Sequence, residues 1–262
     1  MSELIVIFDM DGVILDTERL YYEGWMTAAE KMRLPADIME QAVARCIGVT
    51  DEYERQIMET MFQEAGDYDH DMAFRLCREY FFQKIDEGAV PVKEGAEKFL
   101  SRLKKDGAVI GLASSSPGWL IKKELTAAGL ISCFSAIVAG DEVEKSKPAP
   151  EIFIKCAEKL MQSGKTDTGG ISGKAAGGKE DQKPYCRQDR FTELCEMADI
   201  YVIEDSYNGI MAAKAAGFHP IMIPDRLPPD QQMQENAEEI WDSLTELNRR
   251  WDEIIKRNSL TV

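Results

Sequence analysis

Two aspartates, Asp9 and Asp11, close the apolar run LIVIF with only Met10 between them. Like charges crowded at a strand end repel unless a cation or a proton intervenes, so the pair marks a site. Further polar groups follow apolar runs downstream: Ser114 after VIGLA, Lys147 in EKSKPAPEIF after AIVA, and Glu204 with Asp205 after IYVI. These residue types suit one chemistry. A carboxylate can attack a phosphoryl group directly, leaving an aspartyl phosphate for water to hydrolyse. Asp9, at the strand end, is the expected nucleophile. Strand residues two apart face the same side, so Asp11 is expected where it can protonate the leaving oxygen and later deprotonate water.

Carboxylates also repel a phosphate monoester, and a divalent cation removes the conflict. Magnesium suits an all-oxygen site that takes one or two carboxylates and keeps waters. The expected metal residues are Asp9 and Asp205 with the backbone carbonyl of Asp11, and Glu204 behind them. Lys147 offers positive charge to the transferring oxygens and holds Asp9 unprotonated. The Ser114 hydroxyl, with the N–H groups of Ser115 and Ser116, is expected to bind the remaining phosphoryl oxygens. Singly, a serine after a strand is ordinarily a helix cap and a lysine before Pro-Ala-Pro is ordinarily solvated. Their recurrence at successive strand ends is what points to chemistry.

The elements that must position these groups are legible as runs. LIVIF (4–8), VIGLA (109–113), AIVA (136–139), IYVIE (200–204) and PIMI (220–223) read as continuous apolar strands, the last four each preceded by a helical pattern. That rhythm predicts an α/β fold with a parallel sheet covered on both faces. In such sheets the ligand crevice lies at the carboxyl ends of the strands, where helix N-termini offer N–H groups to anions. Ser116 before Pro117 reads as the N-cap of a helix ended by Gly129, and Ser206 as the cap of a helix that stops before Gly217. Near the end, Leu244, Leu247, Trp251, Ile254 and Ile255 form one apolar helical stripe.

The first interval breaks the rhythm. Between Asp16 and Pro91 there are helical patterns only, TERLYYEGWMTAAEKM, TDEYERQIMETMFQEA and HDMAFRLCREYFFQKI. They predict a helical cap domain over 17–90 inserted into a core of 1–16 and 91–262, with hinges near Asp16 to Glu18 and Gly88 to Gly95. The glycine-rich stretch 163–183 predicts a flexible loop within the core, and it lacks the GxxxxGK[ST] spacing of a phosphate-binding loop.

Composition narrows the partners. With 47 acidic against 31 basic residues, the formal charge of −16 disfavours nucleic acid and anionic membrane. No apolar run approaches a membrane span, and the six cysteines form no CxxC pair, as expected of reduced thiols in a cytoplasmic protein. A monomer or weak dimer is the default expectation.

The segments DMDGVILDT, LASSS, KSKPAPEIF and IEDSYNGI resemble the four motifs of the haloacid dehalogenase (HAD) superfamily. Within it, the chain resembles the β-phosphoglucomutase-like sugar phosphatases over nearly its whole length. The resemblance implies a Rossmann-like, doubly wound core with an inserted helical cap. It also implies a magnesium cofactor and the roles argued above for Asp9, Asp11, Ser114, Lys147 and Asp205, with Thr17 and Asn208 in supporting places near the site. The mutases it resembles carry a histidine where this chain has Tyr21, and basic residues around a Gly-Val pair that here reads CIGVTDEYER, with Ile47 and Asp51 flanking Gly48 and Val49. An acid in place of a phosphate clamp favours phosphatase over mutase. Asp11 argues against a dehalogenase, and the absence of a lysine in IGVTDEY against a phosphonate hydrolase.

The expected activity is therefore a magnesium-dependent phosphohydrolase acting on a small phosphorylated metabolite, a sugar phosphate, through an aspartyl phosphate. A phosphosugar mutase is the alternative, and a non-catalytic binding protein a further one, opposed by the presence of both Asp9 and Asp11. Tyr21, Trp25, Val49 and Tyr53 could line a leaving-group pocket, although Trp25 and Tyr53 suit packing within the cap equally well.

Overall fold

A computed structural model describes residues 3–46, 51–63, 68–164, 198–226 and 228–258. In chain order its elements are β1 (Glu3–Phe8), α1 (Thr17–Met32), α2 (Ala36–Arg45), α3 (Asp51–Met61), α4 (His70–Asp86), α5 (Ala96–Lys105) and β2 (Val109–Ser114). There follow α6 (Gly118–Ala127), β3 (Ala136–Ala139), α7 (Glu151–Gly164), β4 (Ala198–Glu204) and α8 (Tyr207–Ala215). The last are β5 (His219–Met222), α9 (Gln231–Asn236), β6 (Glu239–Ile240) and α10 (Leu244–Asn258). They form two compact units, one of residues 1–14, 93–122 and 130–262, the other of residues 15–92 and 123–129.

The larger unit is built on a six-stranded sheet of order β3-β2-β1-β4-β5-β6, parallel at every pairing. β1 is central, with Ile5 opposite Val109 on one side and Ile200 on the other. The chain runs from β1 outward to β3 and then returns to β4 beside β1, so the topological switch falls between β1 and β4. That is where an open α/β sheet leaves a crevice.

The strands are apolar on both faces because both are covered. Ile5, Ile7, Ile200 and Val202 enter a core with Phe153, Cys156 and Leu160 of α7 and Ala212 and Ala213 of α8. On the opposite face Phe8 meets Phe99 of α5 edge-on at 5.9 Å. Trp251 of α10 packs edge-on against both Phe99 (5.2 Å) and Tyr201 (5.1 Å). The tail stripe read from sequence is thus the inner face of α10, with Leu244, Leu247, Trp251 and Ile254 buried. β6 was not foreseen, since two half-buried residues make no apolar run.

The smaller unit contains α1 to α4. Its core gathers Trp25, Met39, Met58, Phe62 and Cys77. α1 and α4 approach closely at Gly24, where a Cβ would lie 2.8 Å from the Cys77 sulfur and 2.9 Å from its carbonyl oxygen. Asp69 caps α4 by accepting the Met72 N–H at 3.0 Å. α2 escapes a sequence reading because no side chain caps its start and only Met39 and Ala42 on it are buried. At the base of the unit Leu15 and Val92 form an antiparallel bridge, and the Asp16 N–H donates to the Pro91 carbonyl at 2.9 Å.

Two expectations need adjusting. Ser163 and Gly164 close α7 rather than opening a loop, and the rest of 163–183 lies outside the described residues. Cys46, Cys77, Cys133 and Cys156 are free thiols, while Cys186 and Cys195 also lie outside that set. Among the described residues no helix is long and apolar enough to cross a membrane.

Candidate active site

The site forms at the carboxyl ends of β1, β2 and β4. β1 stops at Phe8, and the Asp9 N–H still donates to the Ile203 carbonyl at 2.9 Å, which ties Asp9 to β4. The chain then turns, with the Ile14 N–H donating to the Met10 carbonyl and Gly12 at φ 78°. Asp11 is therefore placed by this turn and not by strand alternation. Gly12 is required there twice over: its φ is left-handed, and a Cβ would lie 2.4 Å from Asp205 Oδ2.

Lys147 joins the strands electrically. Its Nζ donates to Asp9 Oδ1, to Glu204 Oε1 at 2.6 Å and to the Ala113 carbonyl at 3.3 Å. It also lies 5.0 Å from the centre of the Phe153 ring. The three charged side chains are buried, 7% exposed for Lys147, 9% for Asp9 and 1% for Glu204. Burial works against the lysine's charge, but Asp9 and Glu204 outweigh it and hold the ammonium well above its usual range.

Glu204 uses both oxygens. While Oε1 takes Lys147, Oε2 accepts the N–H groups of Asp205 (3.0 Å) and Ser206 (2.9 Å) and the Ser206 hydroxyl (2.9 Å). It anchors Lys147, from the place behind the metal residues where the sequence put it. Ser206 in turn caps α8, its Oγ accepting the Gly209 N–H at 3.1 Å.

The serines gather on Asp11. Ser114 Oγ donates to Asp11 Oδ2 at 3.4 Å and accepts the Ser116 N–H at 3.1 Å. Ser116 Oγ donates to the same Asp11 oxygen at 3.2 Å. The first N–H of α6, that of Gly118, donates to the Asp141 carboxylate at 3.1 and 3.3 Å. Ser115 is exposed beside them, and Asn208 is exposed on the first turn of α8. Thr17 opens α1 in the helical unit and is buried.

Asp205 lies against Gly12, and so does a residue the sequence reading missed. Asp225, just past β5, would stand 3.3 Å from a Gly12 Cβ through Oδ2, while its Oδ1 receives Lys93 Nζ at 2.6 Å. The signal was present: PIMIPD ends a fifth apolar run on an acid, as the first run ends on Asp9. Five carboxyl groups, Asp9, Asp11, Glu204, Asp205 and Asp225, thus share this end of the sheet with the ammonium groups of Lys147 and Lys93.

Burial and crowding together raise the proton affinity of two of these carboxyls. Burial, reinforced by Glu204, Asp9 and Asp225, pushes Asp205 up to about 9. Burial also pushes Asp9 up to about 7, with Lys147 opposing and Glu204 and Asp11 adding to the rise. Buried carboxyls held above their ordinary range are a place for a cation, which would let both ionise. Among the described residues no three carboxylate, histidine or cysteine side chains close on a common point. A cation here would take two carboxylates and other oxygens, which is magnesium's habit.

Comparison with known proteins decides the family. The family model described as haloacid dehalogenase-like hydrolase matches residues 6–168. The chain belongs to the haloacid dehalogenase-like hydrolase family. YhcW of Bacillus subtilis, named as a phosphatase, is 29% identical over 226 residues, 85% of this chain and 84% of that protein. The phosphorylated carbohydrates phosphatase of Thermotoga maritima is 28% identical over 216 residues, 82% of each chain. A HAD family hydrolase from Deinococcus radiodurans shares the fold, with a TM-score of 0.70 and 19% identity, covering 96% of both chains. The chain is thus a hydrolase of this family, and these curated relatives within it are named phosphatases.

In the helical unit, the residues read as a leaving-group pocket separate. Trp25 is packed in its core, Tyr21 stacks on Phe81 with ring centres 4.6 Å apart, and Tyr53 is 56% exposed. Ile47, Gly48 and Val49 lie outside the described residues.

Proposed function

We propose that this enzyme is a magnesium-dependent phosphatase of small phosphorylated metabolites, with a sugar phosphate as substrate, working through an aspartyl phosphate on Asp9. The observation that carries the reading is the buried Asp9–Lys147–Glu204 array at the switch between β1 and β4. Lys147 occupies Asp9 Oδ1. Oδ2 is then the oxygen that attacks phosphorus, forming the Asp9–phosphorus bond as the ester oxygen leaves with the bonding electrons. Asp11 gives that oxygen a proton, and the Ser114 and Ser116 hydroxyls orient its carboxyl group. Ionised Asp11 then takes a proton from water as that water attacks the phosphoryl group, which releases inorganic phosphate and frees Asp9.

Asp9 and Asp205 would hold magnesium with the backbone carbonyl of Asp11, and the excess of buried carboxylate supports this set. When bound, the ion supplies positive charge to the phosphoryl oxygens. Glu204 keeps Lys147 in place, and Lys147 keeps Asp9 oriented. Tyr21, stacked within the helical unit where the mutases it resembles carry histidine, supports transfer to water over transfer to sugar.

The test is phosphate release from a panel of sugar phosphates, small monoesters and nucleotides, with magnesium and with a chelator. Magnesium-dependent release from a subset of sugar phosphates is expected, and Asp9→Asn should lower kcat by about 10³-fold or more. Isomerisation of a sugar 1-phosphate that needs a bisphosphate primer, with no net phosphate release, would overturn it.

A further inference from the structure

Asp225 is absent from the reaction derived above, yet it is built into the same site. Its side chain is 8% exposed, and Lys93 fixes Oδ1 at 2.6 Å. Its other oxygen, Oδ2, is buried and has no hydrogen-bond partner among the described residues. A buried carboxylate oxygen left without a donor is costly unless a donor arrives when the site is loaded. Oδ2 faces the space over Gly12 that Asp205 Oδ2 also faces.

These observations point to the cation. No three carboxylates close on one point among the described residues, so Asp225 is not placed to join Asp9 and Asp205 as a direct ligand. Magnesium keeps several of its waters when bound by one or two carboxylates. We propose that Asp225 is a positioning residue for magnesium, its free oxygen accepting a hydrogen bond from the ion's hydration water while Lys93 holds the carboxylate in place. Such outer partners orient a metal site as firmly as its ligands do. The inference rests on the magnesium reading of the site. It assigns β5 a part in that site alongside β1 and β4.

The experiment is magnesium titration of the full chain by calorimetry, with melting temperatures recorded with and without the ion. Asp225→Asn and Asp225→Ala are compared with the unaltered chain. Magnesium should bind the unaltered chain and raise its melting temperature. Both variants should bind it roughly 10- to 100-fold more weakly, with a smaller magnesium-induced rise. If the variants melt lower without the ion but bind it as tightly as the unaltered chain, Asp225 serves only as a partner for Lys93 and the proposal is overturned. If the unaltered chain binds no magnesium, the magnesium reading falls and the proposal with it.

Discussion

Gly209 occupies the one position of the first turn of α8 where any side chain would collide with the Glu204 carboxylate: a Cβ there would lie 1.8 Å from both Cδ and Oε1. The relationship explains how a fully buried glutamate can sit on the N-terminus of a helix, accept the N–H groups of Asp205 and Ser206, and still reach Lys147. The helix terminus favours the negative charge there.

Gly209→Ala should therefore displace Glu204 and, through it, Lys147. The expected loss of stability is about 1–3 kcal/mol, typical of forcing atoms into a filled site. Turnover should fall further than the loss of folded protein accounts for, which phosphate release normalised to the folded fraction will reveal. A variant with unaltered kcat would show that the Glu204 anchor is dispensable.

Removing the lysine tests the same array from its centre. Lys147→Met leaves Asp9 and Glu204 buried with no cation between them. Breaking a buried ion pair from one side costs about 3–5 kcal/mol. Loss of its charge at the transferring oxygens should lower kcat on the order of 100-fold or more. Urea denaturation and steady-state kinetics on the same preparation separate the two effects.

Away from the site, Trp251 holds α10 and α5 against the sheet through Phe99 and Tyr201. It is fully buried. Trp251→Ala should destabilise the sheet unit by about 3–5 kcal/mol, read as a lower melting temperature. A change below 1 kcal/mol would mean that α10 is not packed as described.

His219 offers a pH test remote from the carboxylates. Its Nδ1 faces Glu238 at 2.8 Å, and the hydrogen bond, opposed by burial and aided by the charges of Glu238 and Asp199, raises its pKa above the ordinary value of 6.5. A folded-state pKa above the unfolded one gives a contribution that is complete below about pH 6.5 and fades as pH rises through the raised value. Both groups are partly exposed, so it amounts to at most about 1 kcal/mol. The stability difference between the unaltered chain and His219→Asn should shrink between mildly acidic and alkaline pH; a difference that grows with pH would reverse the assignment.

The parallel sheet was legible in the chain alone, because each strand covered on both faces must be continuously apolar, as LIVIF and IYVIE are. The chain also placed Asp9, Lys147 and Glu204 together, since parallel strands bring their carboxyl ends to one edge. Ser206 as a helix cap and the stripe on α10 were equally legible, being local in turn chemistry and in period.

Relations between segments far apart in the chain came only with the fold. Asp141 takes the first N–H of α6, and Ser116 gives its hydroxyl hydrogen to Asp11. Glu204 was read as lying behind the metal residues, and its partners there came from the fold: three donors from its own turn meet Oε2, and the ammonium of Lys147 meets Oε1. Asp225 was overlooked because its partner, Lys93, is 132 residues away and no local pattern joins them. Hydrogen-bond competition of this kind is settled by which donors the folded chain delivers to a given oxygen, and a linear spacing carries no record of that.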